Sequence, residues 1–236
     1  MKIITFSGVD GSGKSTQADL LEAHLTAQGK KVYRFHLVGF SLANRLARLF
    51  KGERKFTPGK EKAVTRASWF TIVLMMKFLA IDMFRFRLLR RKLQREGYDY
   101  ILSDRYFFDS LVNIGYLLSR HSEPRPHDSR QRVGHGIRKS KNPWAQIMRS
   151  LDKLGMTILE KFLPKPDYAF YFDIDASEIM ARERAPEQGA DYLRSKINLF
   201  RMKLENWNMT VIDATHSKEN IFSEIKDSIA GSDSAI

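Results

Sequence analysis

An α/β fold, a mostly parallel sheet covered by helices, is the architecture this sequence predicts, and three observations carry the prediction. Short apolar runs of strand length alternate with longer segments of helical period. A glycine-rich turn joins the first of those runs to the first helix. The 236 residues hold no internal repeat and no dividing linker, and they suffice for a sizeable core.

The first strand is the apolar run Lys2 to Ser7. A helix from about Lys14 to Gln28 follows the glycine-rich turn, with Ala18, Leu21 and Leu25 on one face and Gly29 closing it. Lys31 to His36 reads as the second strand, Ser41 to Phe50 as helix and Gly52 to Gly59 as loop. A long helix is expected from Glu61 to about Arg95. Its first half is apolar on most sides, which predicts burial, and its second half is basic. The cluster Trp69 to Phe86 within it reads as core, with a dimer face as the alternative. Tyr98 to Ser103 is the third strand and Phe107 to Ser119 the helix after it. Residues 120–143, rich in Pro, Gly, Ser, His and Arg, show no period and read as a basic loop or insertion. A helix from Trp144 to Phe162 stops before Pro164 and Pro166, and the strand Tyr168 to Ile174 follows. Helical stretches Ser177 to Arg184 and Asp191 to Trp207 lead to the last strand, Met209 to Ile212, and a closing helix, Ser217 to Ile229. Residues 1–230 thus make one domain, and 231–236 a tail that frays from Ser228 onward.

Hydrophobic residues at 43% and charged residues at 28% exclude wholesale disorder. The absence of cysteine excludes a disulfide scaffold, a thiolate metal site and a cysteine nucleophile. Met1 and Lys2 lead straight into a strand with no signal peptide, and the most apolar stretch, Trp69 to Ile81, is too short to span a bilayer, so a cytoplasmic protein is expected. The six histidines lack metal-ligand spacing. The net charge of +13 is concentrated: Lys77 to Arg95 holds seven basic residues and one acid, Arg120 to Lys141 seven and two. Such a surface attracts any polyanion, and a solvated helix face explains it equally well.

Gly8-Val9-Asp10-Gly11-Ser12-Gly13-Lys14-Ser15 matches G-x-x-x-x-G-K-[ST] in full, between an apolar strand and a helix. The glycines let successive backbone N–H groups face one anion, and the helix N-terminus adds positive potential. Lys14 would reach the β- and γ-phosphates, Ser15 would bind Mg²⁺ and Thr16 would donate to the α-phosphate. Asp104 ends the third strand, where an open sheet faces its ligand crevice, placed to hold the metal's waters or to act as a base. Arg105 beside it offers a fork for phosphate oxygens. A structural ion pair is the plainer explanation of Asp104-Arg105, and the nearby phosphate loop favours the functional one. Arg182, Arg184 and Arg194 flank the polar insert Ala185-Pro186-Glu187-Gln188-Gly189, either as a lid over about 182–194 or as helix-surface arginines paired with Glu183 and Glu187.

Four segments together resemble the thymidylate kinase family of phosphate-loop nucleoside monophosphate kinases. They are Phe6 to Gln17, Asp104-Arg105-Tyr106, Pro166-Asp167-Tyr168 leading into Phe172-Asp173-Ile174-Asp175, and Val211-Ile212-Asp213-Ala214. The resemblance implies a three-layer P-loop kinase fold, with a central five-stranded parallel sheet flanked by helices and a short lid. It implies ATP with Mg²⁺ as donor and a nucleotide as the small-molecule acceptor. By position, Asp10 would contact the acceptor's sugar and Arg105 its phosphate, with Asp104 near the metal and Arg182 and Arg184 in the lid. Ala214-Thr215-His216 would lie near the donor adenine, and a homodimer through the long helical region is implied as well.

The acceptor side departs from the family's pattern. Leu37-Val38-Gly39-Phe40 stands where the family has Arg-Glu-Pro, and Asp109, Val112, Asn113 and Ile114 replace its Ser, Ala, Tyr and Gln. The base-contacting arginine falls near Asp82, leaving Arg85 one turn on as the substitute and Asn113 as an acceptor contact. A thymidylate-kinase-like transfer to dTMP or a related pyrimidine nucleotide is therefore the leading expectation. The alternatives are a kinase of a nucleoside, another small metabolite or a nucleic-acid end, and a nucleotide-binding protein without turnover. No nucleic-acid-reading module supports the nucleic-acid version.

Overall fold

The computed structural model describes residues 1–44, 67–121, 154–182 and 188–233. The loop expected at 52–59, most of the basic segment 120–143, Arg184 with the greater part of the lid insert, and 234–236 lie outside the described residues. The strands are β1 (Lys2–Ser7), β2 (Val32–Phe35), β3 (Tyr100–Ser103), β4 (Tyr168–Asp173) and β5 (Thr210–Asp213). The helices are α1 (Lys14–Ala27), α2 (Leu37–Phe40), α3 (Trp69–Arg95), α4 (Phe107–His121), α5 (Ala176–Met180), α6 (Ala190–Arg201) and α7 (Lys218–Asp233). Residues 154–161 are also helical.

The five strands form one all-parallel sheet in the order β2-β3-β1-β4-β5, as expected. Right-handed crossovers place α1, which leads from β1 out to β2, on one face. They place α3, α4 and α6, which all lead the other way, on the opposite face. The contacts agree: α1 packs on α7, while α3 packs on α4 and α4 on α6. The crossovers leaving β1 and β3 therefore diverge, and a crevice opens between the carboxyl ends of these two strands. Thr5 pairs with Ser103, so the loops after both strands start at the same height.

Aromatic side chains fix that end of the sheet. Phe35, Phe86, Tyr106 and Phe107 are fully or nearly fully buried and pack edge to face, with Phe35 and Phe86 centroids 4.7 Å apart and Tyr106 and Phe107 4.9 Å apart. Each ring buried there contributes about 1.5–3 kcal/mol. The Tyr106 hydroxyl donates to the Pro164 carbonyl at 2.8 Å, which ties the turn after β3 to the approach to β4.

Several expectations need correction. Residues 67 and 68 are not helical, and α3 begins at Trp69 with the Ser68 hydroxyl accepting from the Thr71 N–H, so the helix does not run unbroken from Glu61. Its first half is not largely buried. Ile72, Leu79, Met83 and Phe86 face the core, but Phe70, Leu74, Ile81, Phe84 and Leu88 form an exposed apolar stripe on another side, with Phe70 71% and Phe84 60% exposed. A helix apolar all round reads as buried in sequence, and among the described residues α4 and the helical segment 154–161 leave this stripe uncovered. The helix expected to Trp207 ends at Arg201 and gives way to turns. The closing helix continues through Asp233 instead of fraying from Ser228, with Ile225 and Ile229 still buried.

Candidate active site

The glycine-rich loop leaves β1 at Gly8, whose φ of 143° is one that L side chains rarely adopt. A Cβ there would stand 3.0 Å from the Phe172 carbonyl oxygen, so the loop lies against β4 at its first residue. Gly11 and Gly13 also have positive φ, at 87° and 95°. These turns carry the backbone over the N-terminus of α1, and Gly11, Gly13, Ser15 and Thr16 are exposed at its mouth. Lys14 is buried beneath them, with its ammonium donating to the Val9 carbonyl at 2.7 Å and to the Ser12 hydroxyl at 3.3 Å. Burial pushes its pKa below the ordinary lysine range, against the pull of Asp10 and Asp109.

The turn after β3 brings two groups to the same place. The Ser15 hydroxyl donates to Asp104 Oδ2 at 3.0 Å. Among the described residues Asp104 Oδ1 is buried with no hydrogen-bond donor on it. Arg105 Nη2 donates to Asp10 Oδ1 at 2.7 Å, across from one loop to the other. Burial alone would raise the Asp10 carboxyl, but the charges of Arg105, Lys14 and Lys196 outweigh it and hold the group below its usual range. The Ser103 hydroxyl, donating to the Arg105 carbonyl at 2.6 Å, sets the path of this turn.

Four residues absent from the sequence-derived set also stand here. Arg34 reaches from β2 to Asp104 at 3.5 Å while paired with Asp19 at 3.1 Å and Glu22 at 3.2 Å. His36 lies 3.8 Å from Asp104, and burial depresses its pKa so that the neutral ring is favoured. Both point to the crevice because they stand two apart along an extended chain. Lys196 on α6 is close enough for its charge to act on Asp10 and Lys14. Asp109, in the first turn of α4, accepts from the Ser7 hydroxyl at 2.9 Å.

The remaining candidates are distributed differently. Arg182 donates to the Gly11 carbonyl at 2.5 Å and to the Ala214 carbonyl at 3.2 Å, bridging the phosphate loop and the turn after β5. In that turn Asp213 accepts from the Thr215 hydroxyl and backbone N–H, which lowers its carboxyl pKa. Arg194 pairs with Asp191 at the solvent-exposed start of α6. Arg85 is engaged beside the segment after β2: its Nη1 donates to the buried Asp82 at 2.6 Å and to the Phe40 carbonyl at 3.0 Å, and its guanidinium lies 4.3 Å over the Phe40 ring. Asp82 in turn accepts from the Leu42 N–H, so the pair fastens the segment after β2 to α3. Asn113 is half-buried on α4, one turn beyond Asp109.

The donor set suits a triphosphate with a hard divalent cation. A flexible glycine cradle, a buried ammonium and an exposed helix N-terminus face the crevice, and the lone Asp104 oxygen beside Ser15 matches a metal's water shell. No cluster of three metal-ligating side chains occurs among the described residues, so a cation here would take phosphate and water oxygens as its other ligands.

No family model matches the chain. Over 232 residues it is 25% identical to a thymidylate kinase of Thermosipho africanus, covering 94% of both chains. Over 230 residues it is 24% identical to a thymidylate kinase of Thermosipho melanesiensis, again at 94% of both. Among solved structures, thymidylate kinase from Candida albicans, described as having broad substrate specificity, superposes with a TM-score of 0.63. That likeness covers 98% of this chain and 92% of the other at 16% identity, and it shows a shared fold. The resemblance carried by four short motifs therefore extends along nearly the whole chain.

Proposed function

We propose that this chain is a divergent thymidylate kinase, an enzyme that moves the γ-phosphoryl group of ATP to the phosphate of dTMP or a closely related pyrimidine nucleotide. The observation that carries the reading is the meeting of Lys14, Ser15, Asp104, Arg105 and Asp10 at one end of the sheet. Two curated relatives with that activity, aligned over 94% of the chain, support it.

The chain's own groups account for the transfer by position and charge. The N–H groups of the Gly8 to Ser15 loop bind the donor phosphates. Lys14 turns from the Val9 carbonyl and the Ser12 hydroxyl to the β- and γ-phosphate oxygens. Ser15 and Asp104 would hold Mg²⁺, which when bound would supply positive charge to those oxygens. Arg105 exchanges Asp10 for the acceptor phosphate, and the released Asp10 carboxylate is free to meet the acceptor's sugar. An oxygen of the acceptor phosphate forms the new bond to the γ-phosphorus while the bond to the β–γ bridging oxygen breaks, leaving ADP. The attacking oxygen is already anionic, so no general base is required. Arg182, between Gly11 and Ala214, sits on the donor's side, and Arg184 belongs to the lid of the same reading.

A second part of the proposal is a homodimer through α3. Its exposed stripe of Phe70, Leu74, Ile81, Phe84 and Leu88 is larger than scattered surface residues would give and calls for an apolar cover.

Initial rates of ADP formation with ATP and Mg²⁺ test the acceptor, using dTMP, dUMP, UMP, CMP and thymidine in turn. The reading predicts the highest kcat/KM with dTMP or dUMP. Turnover confined to thymidine would replace it with a nucleoside kinase.

A further inference from the structure

Asp109 is a half-buried carboxylate of the site to which the transfer scheme assigns no task. Its Oδ2 accepts from the Ser7 hydroxyl at 2.9 Å and from the Tyr106 backbone N–H at 3.1 Å. Its Oδ1 faces the Gly8 backbone N–H at the long distance of 3.5 Å. Ser7 is completely buried at the end of β1, and Gly8 is the first residue of the phosphate loop. Tyr106 is the residue after Arg105 and immediately precedes α4.

A helix cap explains only part of this. The bond to Tyr106 N–H is the third-residue half of a capping box, and a solvated carboxylate performs that task equally well. Capping gives no reason for the same group to reach Ser7 and Gly8, about a hundred positions away in the chain. Burial pushes the Asp109 pKa up, so its environment works against the charged form, and the opposing charge of Lys14 is the largest influence in its favour. One oxygen of this carboxylate bonds both the last residue of β1, where the phosphate loop begins, and the turn that carries Arg105.

We propose that Asp109 is a positioning residue, whose carboxylate links the entry of the phosphate loop to the turn carrying Asp104 and Arg105 and so keeps donor and acceptor phosphates in register. The proposal rests on the kinase reading for its acceptor half alone. The same link also holds the loop for ATP by itself, and ATP binding is measurable without any acceptor.

Ser7→Ala removes the tether and leaves the charge, whereas Asp109→Asn removes the charge and keeps the shape. Equilibrium titration with ATP and Mg²⁺ would follow Ser7→Ala, Asp109→Asn and the double variant, with melting temperatures recorded so that unfolding is not read as weak binding. A tether predicts that each single variant weakens ATP binding about five- to tenfold, and that the double variant is no weaker than the worse single one, because one link is lost once. It also predicts a fall in kcat about ten- to a hundredfold with little change in the KM for dTMP, as mispositioned reactants lose rate before affinity. A carboxylate acting only as a charge predicts the reverse sign for Asp109→Asn, tighter ATP, with Ser7→Ala neutral. A cap predicts a lower melting temperature with ATP binding unchanged. Either result overturns the proposal. Absence of any dTMP turnover in the unmodified chain would remove the kinase reading and still leave the ATP titration to decide the tether.

Discussion

Lys14 is where this site departs most from ordinary protein chemistry. An ammonium buried in the loop, with its pKa below the ordinary 10.5, is held against its own preference for water. The folded state disfavours that proton, so the cost is present at neutral pH and disappears as pH rises through the folded pKa toward the unfolded one. Lys14→Met removes the cost, and the ligand-free variant is expected to melt no lower than the parent at pH 7, and higher if neighbours repack. Its ATP binding should be lost at every pH. In the parent, ATP binding should weaken on the alkaline side before an ordinary lysine would titrate. A calorimetric scan of both proteins together with an ATP titration against pH checks these signs. The loop containing Lys14 was fully legible in the sequence, because eight consecutive residues state its geometry and its charge. Arg34, His36 and Lys196 were not legible as site residues, and Asp109 was visible only as a departure from a motif serine. Each enters the crevice through strand order or helix packing, from positions far along the chain, and no local pattern distinguishes them from surface charges or caps.

At the scale of elements, the junction of β1 with its loop combines a strained backbone with a close neighbour. Gly8 combines a φ of 143° with a neighbouring carbonyl oxygen 3.0 Å from where a Cβ would stand. Gly29, at the end of α1, has a φ of 75° and open space around it. Gly8→Ala and Gly29→Ala thus both incur backbone strain, of roughly 1–3 kcal/mol, but only Gly8→Ala displaces the loop. Weaker ATP binding by more than about tenfold is expected for Gly8→Ala alone, since misplaced donors lose much of a charged hydrogen bond's strength. Equal affinities in the two variants, measured by titration, would show the close approach to Phe172 to be unimportant. The strand ends were read from sequence to within a residue or two, because apolar runs between turns mark them. The exposed side of α3 was misread. Its apolar residues cover more than one face, and composition does not say whether the partner is the chain's own core or something outside it.

For the molecule as a whole, the parallel sheet and its helices were predictable from alternating elements and one loop motif, while the association state was not. A dimer through α3 places Phe84 and Leu74 in contact with a second copy. Phe84→Glu should then shift sedimentation from dimer to monomer and leave the monomer folded, because that side chain is 60% exposed within one chain. A parent that already sediments as a monomer would leave the stripe to another partner. The net charge of +13 favours the arrival of anionic substrates by long-range attraction, and added salt should slow association without altering the chemical step. In the proposed reaction the phosphate loop and the Asp104-Arg105 turn together pass a phosphoryl group from ATP to a nucleotide. That transfer is tested most directly by separating the products after incubation with ATP, Mg²⁺ and dTMP, with Lys14→Met as the comparison. Equal amounts of dTDP and ADP are expected from the parent, and at least about a thousandfold less from Lys14→Met. ADP without dTDP, or dTDP at comparable rates from both proteins, would contradict it.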